Sequence, residues 1–314
     1  MEKQSKLKNF PISFFSIILG LAGFTLTIQK FEGAIGSKLH INMYLLILTM
    51  FLFTLLLSIY IAKLIKYPIE VKSEFKNPMQ ANFFSIISLS LLIFSLALQT
   101  TAPSISKYLL IIGTVLHTYF TYRILSFWMM HDAHDIKHFN PTWFITVVGT
   151  LLIPLAGINI FTSDILWFYF TIGIVLWFIL FTIFIYRIIF EHPLHEKLMP
   201  TLAIIIAPPA IGSVAYVMLT NTSDSFSKIL YFFALFLTTF LLSEFKLFFK
   251  LKFTLSWWAY SFPISAMTIA SINMYKITQA LFYKYLVFGL VAILISIVMM
   301  LIPMTIKALK SQKD

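Results

Sequence analysis

Cysteine is absent from the 314 residues. A disulfide framework, a thiolate nucleophile and a cysteine-ligated metal are therefore all closed to this chain. Charge is scarce as well: only 11% of residues are Asp, Glu, Lys or Arg, and 12 acidic residues face 23 basic ones. Soluble globular domains carry about 25% charged residues, so this composition excludes one. The sequence also lacks a Walker loop, a nucleophile elbow and an HExxH pair, which removes common routes to nucleotide, acyl-transfer and zinc-protease chemistry. An enzyme is not expected, and neither is a cofactor or a resident metal.

What fills the chain is apolar, with 60% hydrophobic and 17% aromatic residues. A membrane-spanning helix needs about 20 mostly apolar residues. Ten such runs follow one another, near 11–29, 41–62, 81–100, 108–128, 141–161, 165–187, 200–220, 227–247, 254–274 and 283–306. The expectation is an all-α protein of the lipid bilayer, with a ten-helix domain over 11–306 between tails of 1–10 and 307–314. The first run begins at Pro11 after Lys3, Lys6 and Lys8 and lacks a small-residue cleavage site, so it reads as a retained helix. Only one run holds an ionisable side chain well inside it, His117. A charge near the bilayer centre costs at least about 2.5 kcal/mol, and helices that line proton relays display such groups openly. None of the runs shows a buried carboxylate, Lys or Arg.

Charge placement sets the orientation. With both termini on one side, that side collects every Lys and Arg except Lys30, Lys38, Lys107, Lys228, Lys276 and Lys284. The positive-inside rule then puts the termini in the cytosol, across the inner (plasma) membrane. The formal charge of +11 is spread over all the inner loops without a compact patch, which speaks against a nucleic-acid partner.

The runs repeat in pairs whose first members begin near residues 11, 81, 141, 200 and 254, as five helical hairpins on one plan. First members carry Gly20 and Gly23, Gly149 and Pro154, Pro208 and Pro209, and Pro263. Proline removes a ladder hydrogen bond and frees the carbonyl four residues earlier. Lipid does not tolerate such breaks, whereas protein or a water-filled cavity does. The broken helices are therefore expected inside and the smooth ones outside, the alternative being ordinary packing kinks.

The most specific stretch is Trp257 to Ala266, WWAYSFPISA. Around Phe262, the helical face presents Ala259, Ser265, Ala266 and Ala270, all small. One large ring on a small-residue face fits a plug in a narrow duct, and it equally fits a phenylalanine packed between helices. Pro263 pushes Phe262 away from helical geometry, which would leave the Ala259 carbonyl unpaired.

The chain resembles the tellurite-resistance/dicarboxylate transporter family, TehA-like and homologous to the plant guard-cell slow anion channels. The resemblance spans all ten runs and is carried by Trp257 to Phe262 (WWAYSF), Ile204 to Pro208 (IIIAP), Pro141 to Gly149 (PTWFITVVG) and Leu19 to Ala22 (LGLA). It implies five hairpins in a pseudo-fivefold ring around a central pore, odd-numbered runs innermost. It also implies a homotrimer with one pore per subunit, and a gate at Phe262. Against the family pattern, Ile18 and Ser88 stand where relatives have prolines, and Ser16 where they commonly have glycine. Ser16 and Ser88 are then candidates to turn hydroxyls toward the lumen.

The function so implied is an anion channel for small monovalent inorganic anions. With no basic residue in the membrane, anion preference would come from backbone N–H groups at the kinks, from the basic inner face and from hydroxyls such as Ser265 and Thr268. The alternative is a secondary transporter of C4-dicarboxylates, tellurite or other oxyanions, for which His117 is the sole titratable candidate at mid-membrane. A different class, a histidine-box membrane enzyme, rests on His131, His134 and His138 at helical spacing with His192 and His195 nearby. Such enzymes need about eight ligands in three clusters, and Asp132, Asp135 and Lys137 read instead as a solvated loop.

Overall fold

The computed structural model describes residues 6–130, 135–246 and 250–311. All regular elements among them are helical. The long helices are α1 (Phe15–Ile35), α2 (Ile41–Lys66), α4 (Ser85–Leu98), α5 (Pro103–Met130), α6 (Phe144–Gly157), α7 (Ser163–Phe190), α8 (Ala207–Thr220), α9 (Ser225–Ser243), α10 (Ser261–Thr278) and α11 (Leu281–Ser311), with a short α3 (Pro68–Phe75) after α2. Eight helical segments are long and apolar enough to cross a membrane; a further apolar one, Pro141–Gly157, is shorter.

Two sets of helices alternate along the chain. α1, α4, α6, α8 and α10 each follow a 3-10 stretch, namely Ile12–Phe14, Ala81–Phe84, Pro141–Trp143, Glu196–Ile206 and Leu255–Tyr260. The tighter 3-10 bonds engage N–H groups that an α-helix leaves unpaired at its start. Helices of the other set begin directly as α. The first set is buried and the second faces outward: among the apolar segments the buried share is 72–94% for those holding α1, α4 and α8, against 22–39% for α2, α5, α7, α9 and α11. On the outward set Tyr44, Phe51, Val115, Ile189, Phe236 and Met299 all stand exposed. Each inner helix pairs with the outer helix that follows it. Inner helices also touch in a closed cycle: α1 on α4, α4 on α6, α6 on α8, α8 on α10, and α10 back on α1.

The prolines take a different place from the expected kinks. Pro208 and Pro209 lie in the first turn of α8 and Pro263 in the first turn of α10. There the missing N–H removes no α-helical bond and the fixed φ suits the helix start. Of this proline set only Pro154 sits inside a helix, in α6. α1 and α4 run unbroken through Ile18 and Ser88.

His117, fully buried on α5, ties three helices together. Its Nε2 lies 2.9 Å from the Thr146 carbonyl of α6, and its Nδ1 lies 2.9 Å from Ser88 Oγ of α4. A carbonyl only accepts, so the Nε2–H donates to Thr146; Ser88 Oγ, which also lies 2.8 Å from the Ser85 carbonyl, holds its single proton between that carbonyl and Nδ1. Ser88 is thereby engaged toward α5. Gly149 makes room for the ring, since a Cβ there would lie 2.0 Å from His117 Cε1.

Among the described residues charge is buried only near helix ends. Lys63, 1% exposed near the end of α2, donates to Glu74 Oε1 and to the Phe10 carbonyl, each at 2.7 Å. The Tyr60 hydroxyl donates to Glu74 Oε2 at 2.6 Å. The sequence counted Lys63 as a loop base; α3 folds back and supplies its partner.

Replacing Gly149 by Ala should destabilise the protein by about 1–3 kcal/mol, as overpacking does. Adding His117→Ala should recover part of that loss. Thermal unfolding of the single and double variants in detergent checks both outcomes.

Candidate functional site

Two cavities lie among the inner helices, and each is lined by all five segments of that set. The larger, about 170 Å³, is bounded by Gly23 and Leu26 of α1, Ile93 of α4, Leu152 of α6, Val214 of α8, and Phe262, Ser265 and Ala266 of α10. The smaller, about 30 Å³, is bounded by Ser16 and Leu19, Leu89, Val148, Ile204, and Ala259, Phe262 and Pro263. Leu19 precedes Gly23, Leu89 precedes Ile93 and Val148 precedes Leu152, each by about one helical turn. The cavities therefore stack along the inner helices, the small one toward the helix starts. Phe262 is the residue common to both walls.

Phe262 is 7% exposed, and its ring rests on the backbone of α1. A Cβ on Gly23 would lie 3.0 Å from Phe262 Cδ2 and 3.2 Å from Ser265 Oγ. One turn earlier, a Cβ on Gly20 would lie 2.2 Å from Ser261 Oγ and 2.7 Å from the Trp258 ring. Gly20 is thus a contact between helices and lines neither cavity. Trp258 is fixed from its other side, where Nε1–H donates to Thr305 Oγ1 of α11 at 2.9 Å.

The remaining candidates separate by position. Ser16, Ala259 and Pro263 border the small cavity, while Ser265 and Ala266 border the large one. Ser88, Gly149, Pro154, Pro208 and Pro209 lie in neither wall, although the neighbours of Pro154, Leu152 and Leu155, do. Ser265 donates to the Ser261 carbonyl at 2.9 Å, and Thr268, outside both walls, donates to Ile264 at 2.7 Å. Both hydroxyl protons are thereby held by their own helix. Ser16 differs, because its Oγ is buried with no hydrogen-bond partner at the small cavity.

Polar groups that the apolar runs concealed gather at the far end of the large cavity. Lys30 of α1, Gln99 just past α4, and Asn273 and Lys276 of α10 belong to its wall. Counting bases by loop hid the two lysines. Their helical spacing was the available signal: Gly23, Leu26 and Lys30 share one face of α1, and Ile269, Asn273 and Lys276 share one face of α10. Among the described residues no acidic one belongs to either wall.

The histidine cluster does not gather around a metal among the described residues. His131 and His134 lie outside those residues. His138 Nδ1 accepts from the Asp135 N–H, and His195 Nδ1 accepts from the Lys197 N–H, each at 3.3 Å. These rings cap helix starts. The Lys137 N–H holds the Asp135 carboxyl below the usual carboxylate range.

Comparison with known proteins follows the same lines. The SLAC1 family model, described as voltage-dependent anion channel, matches residues 9–306. The chain belongs to this family. With eight helices long and apolar enough to span a bilayer, it is a multi-pass membrane protein. It is 28% identical over 310 residues to the S-type anion channel SLAH3 of Arabidopsis thaliana, covering 96% of this chain and 48% of that protein. An uncharacterized transporter of Methanocaldococcus jannaschii is 26% identical over 91% of each chain. The TehA homolog of Haemophilus influenzae, a tellurite resistance protein, is 23% identical over 84% of this chain and 81% of its own. The chain thus spans about half the length of the plant relative and most of the two microbial ones.

Because the chain has no native thiol, single cysteines report directly on these walls. Leu155→Cys, in the large cavity, should react with a small charged thiol reagent from one side of the membrane. Val148→Cys, in the small cavity, should resist that reagent from the same side until Phe262→Ala is added. Labelling rates in oriented vesicles measure both.

Proposed function

We propose that this protein is a membrane anion channel that passes small monovalent anions down their gradient, with the Phe262 ring as its gate. One observation carries the reading: among the described residues Phe262 alone belongs to the walls of both cavities between the inner helices. On this reading the ten helices act as five hairpins around a pore. The excess of Lys and Arg puts the termini in the cytosol. Three copies assemble, each with its own conduit, as the family resemblance implies, and the inner (plasma) membrane is the site of action.

The chemistry of the walls fits weak, non-stoichiometric coordination. Aliphatic side chains dominate, so an ion passing Phe262 gives up part of its water. Few groups are free to replace that water, Ser16 Oγ among them. Weak binding lets an ion leave as readily as it enters. Anions that shed water easily should pass best: nitrate and iodide ahead of chloride, and fluoride poorly. The small cavity lies by the starts of all five inner helices, the positive ends of their dipoles, which favour negative charge.

A secondary transporter of dicarboxylates or oxyanions is the second reading, favoured by the lysines in the large cavity wall. His117, its only titratable candidate at mid-membrane, is occupied by Ser88 and Thr146.

Reconstituted into liposomes, Phe262→Ala should raise nitrate flux at least about tenfold, equivalent to removing about 1.4 kcal/mol of barrier. Flux equal to that of the unmodified protein would leave Phe262 as packing. The anion order, measured on the same vesicles, should follow hydration energy; an order that ignored it would refute passage through an apolar neck.

A further inference from the structure

Lys30 and Lys276 border the same cavity from α1 and α10. Lys276 is exposed at the rim, and Lys30 is half-buried. Neither ammonium belongs to an ion pair among the described residues. The nearby carboxylate of Glu32 is already committed, accepting from the Ile41 and Asn42 N–H groups at the start of α2. Two unpaired like charges therefore share one largely aliphatic cavity with the amides of Gln99 and Asn273.

Helix polarity gives the pair a purpose. This end of the cavity lies toward the C-termini of the inner helices, where backbone carbonyls place partial negative charge. An anion would be repelled there without a counterweight. Some carbonyls are already covered: Gln29 donates to the Ala97 carbonyl at 2.8 Å and Gln99 to the Ala156 carbonyl at 2.9 Å. The two ammonium groups reverse the sign of what remains.

We propose that Lys30 and Lys276 form a fixed anion-binding station that holds a divalent oxyanion more tightly than a monovalent anion, so that sulfate blocks the conduit from this side. The binding step stands by itself, whereas the block rests on the channel reading above. A dianion gains from both ammonium groups at once. Past the station it meets walls that are almost wholly aliphatic, with or without the Phe262 ring, and because solvation energy scales with the square of charge, its penalty there is roughly four times that of a monovalent ion. A dianion is captured and goes no further; a monovalent anion is held less firmly and proceeds.

The test uses the full chain. Sulfate binding is measured by calorimetry on the purified protein in detergent. Nitrate currents through the Phe262→Ala variant are recorded in planar bilayers, with sulfate added to one side at a time. Sulfate should bind and should block from one side only. Lys30→Gln and Lys276→Gln should each weaken both effects about tenfold, a change of about 1.4 kcal/mol. Lys38→Gln, an exposed lysine outside the cavity, should leave both unchanged and so controls for general surface charge. Retained unfolding temperature and elution volume establish that the variants fold. Nitrate current without sulfate binding, or block that Lys38→Gln weakens as much as Lys30→Gln does, overturns the station. Sulfate binding that needs both lysines, in a protein that carries no nitrate current, keeps the station and overturns the channel.

Discussion

Close backbone approach between α1 and the start of α10 is the contact on which the rest depends. These segments lie at opposite ends of the sequence, and their meeting closes the cycle of inner helices. Gly20 and Gly23 permit it, because side chains there would run into Ser261, Trp258 and Phe262. The seam adds a hydroxyl contact, Thr27 Oγ1 to the Ser265 carbonyl at 3.4 Å. The same seam sets the position of the Phe262 ring, which lies against Gly23. Closure of the fold and placement of the ring are thus one packing event, and loosening one loosens the other.

Helix direction then gives the interior two unlike ends. All five inner helices start on 3-10 turns at the same end and finish beyond the large cavity at the other. Aligned helices would make the first end attractive to anions and the second repulsive. Amide side chains and two lysines stand where the repulsion would be. In the proposed channel, backbone dipoles at one mouth and side-chain charge at the other would together favour one sign of charge along the interior.

Much of the architecture was legible because lipid allows few solutions: a polar backbone in hydrocarbon must satisfy itself within the segment. The apolar run at 81–100 corresponds to the helical segment Ala81–Leu98, and that at 41–62 to α2, Ile41–Lys66. The first run was read as ending near Gln29, yet α1 continues to Ile35, since Gln29 donates to the Ala97 carbonyl of α4 and Glu32 accepts from the first N–H groups of α2. Proline misled for a related reason. Its cost depends on whether it sits inside a helix or in the first turn, and composition does not distinguish the two for Pro208, Pro209 and Pro263. Ser88 looked free in the sequence because its partner, His117, lies on a different helix. Lys30 and Lys276 were visible only as loop charge, because facing is a property of helix phase and not of residue counts.

One consequence concerns where the membrane voltage falls. Of the two compartments, one has room for a few water-sized volumes and the other for little more than one, and a benzyl ring borders both. In the channel proposed above, with water in both compartments, the electric field would concentrate across that ring instead of spreading over the bilayer's full thickness. About 2.3 kcal/mol per elementary charge per 100 mV would then act over a few ångströms. The ring has no charge for the field to pull, so in the proposed channel the work would be done on the ion in transit.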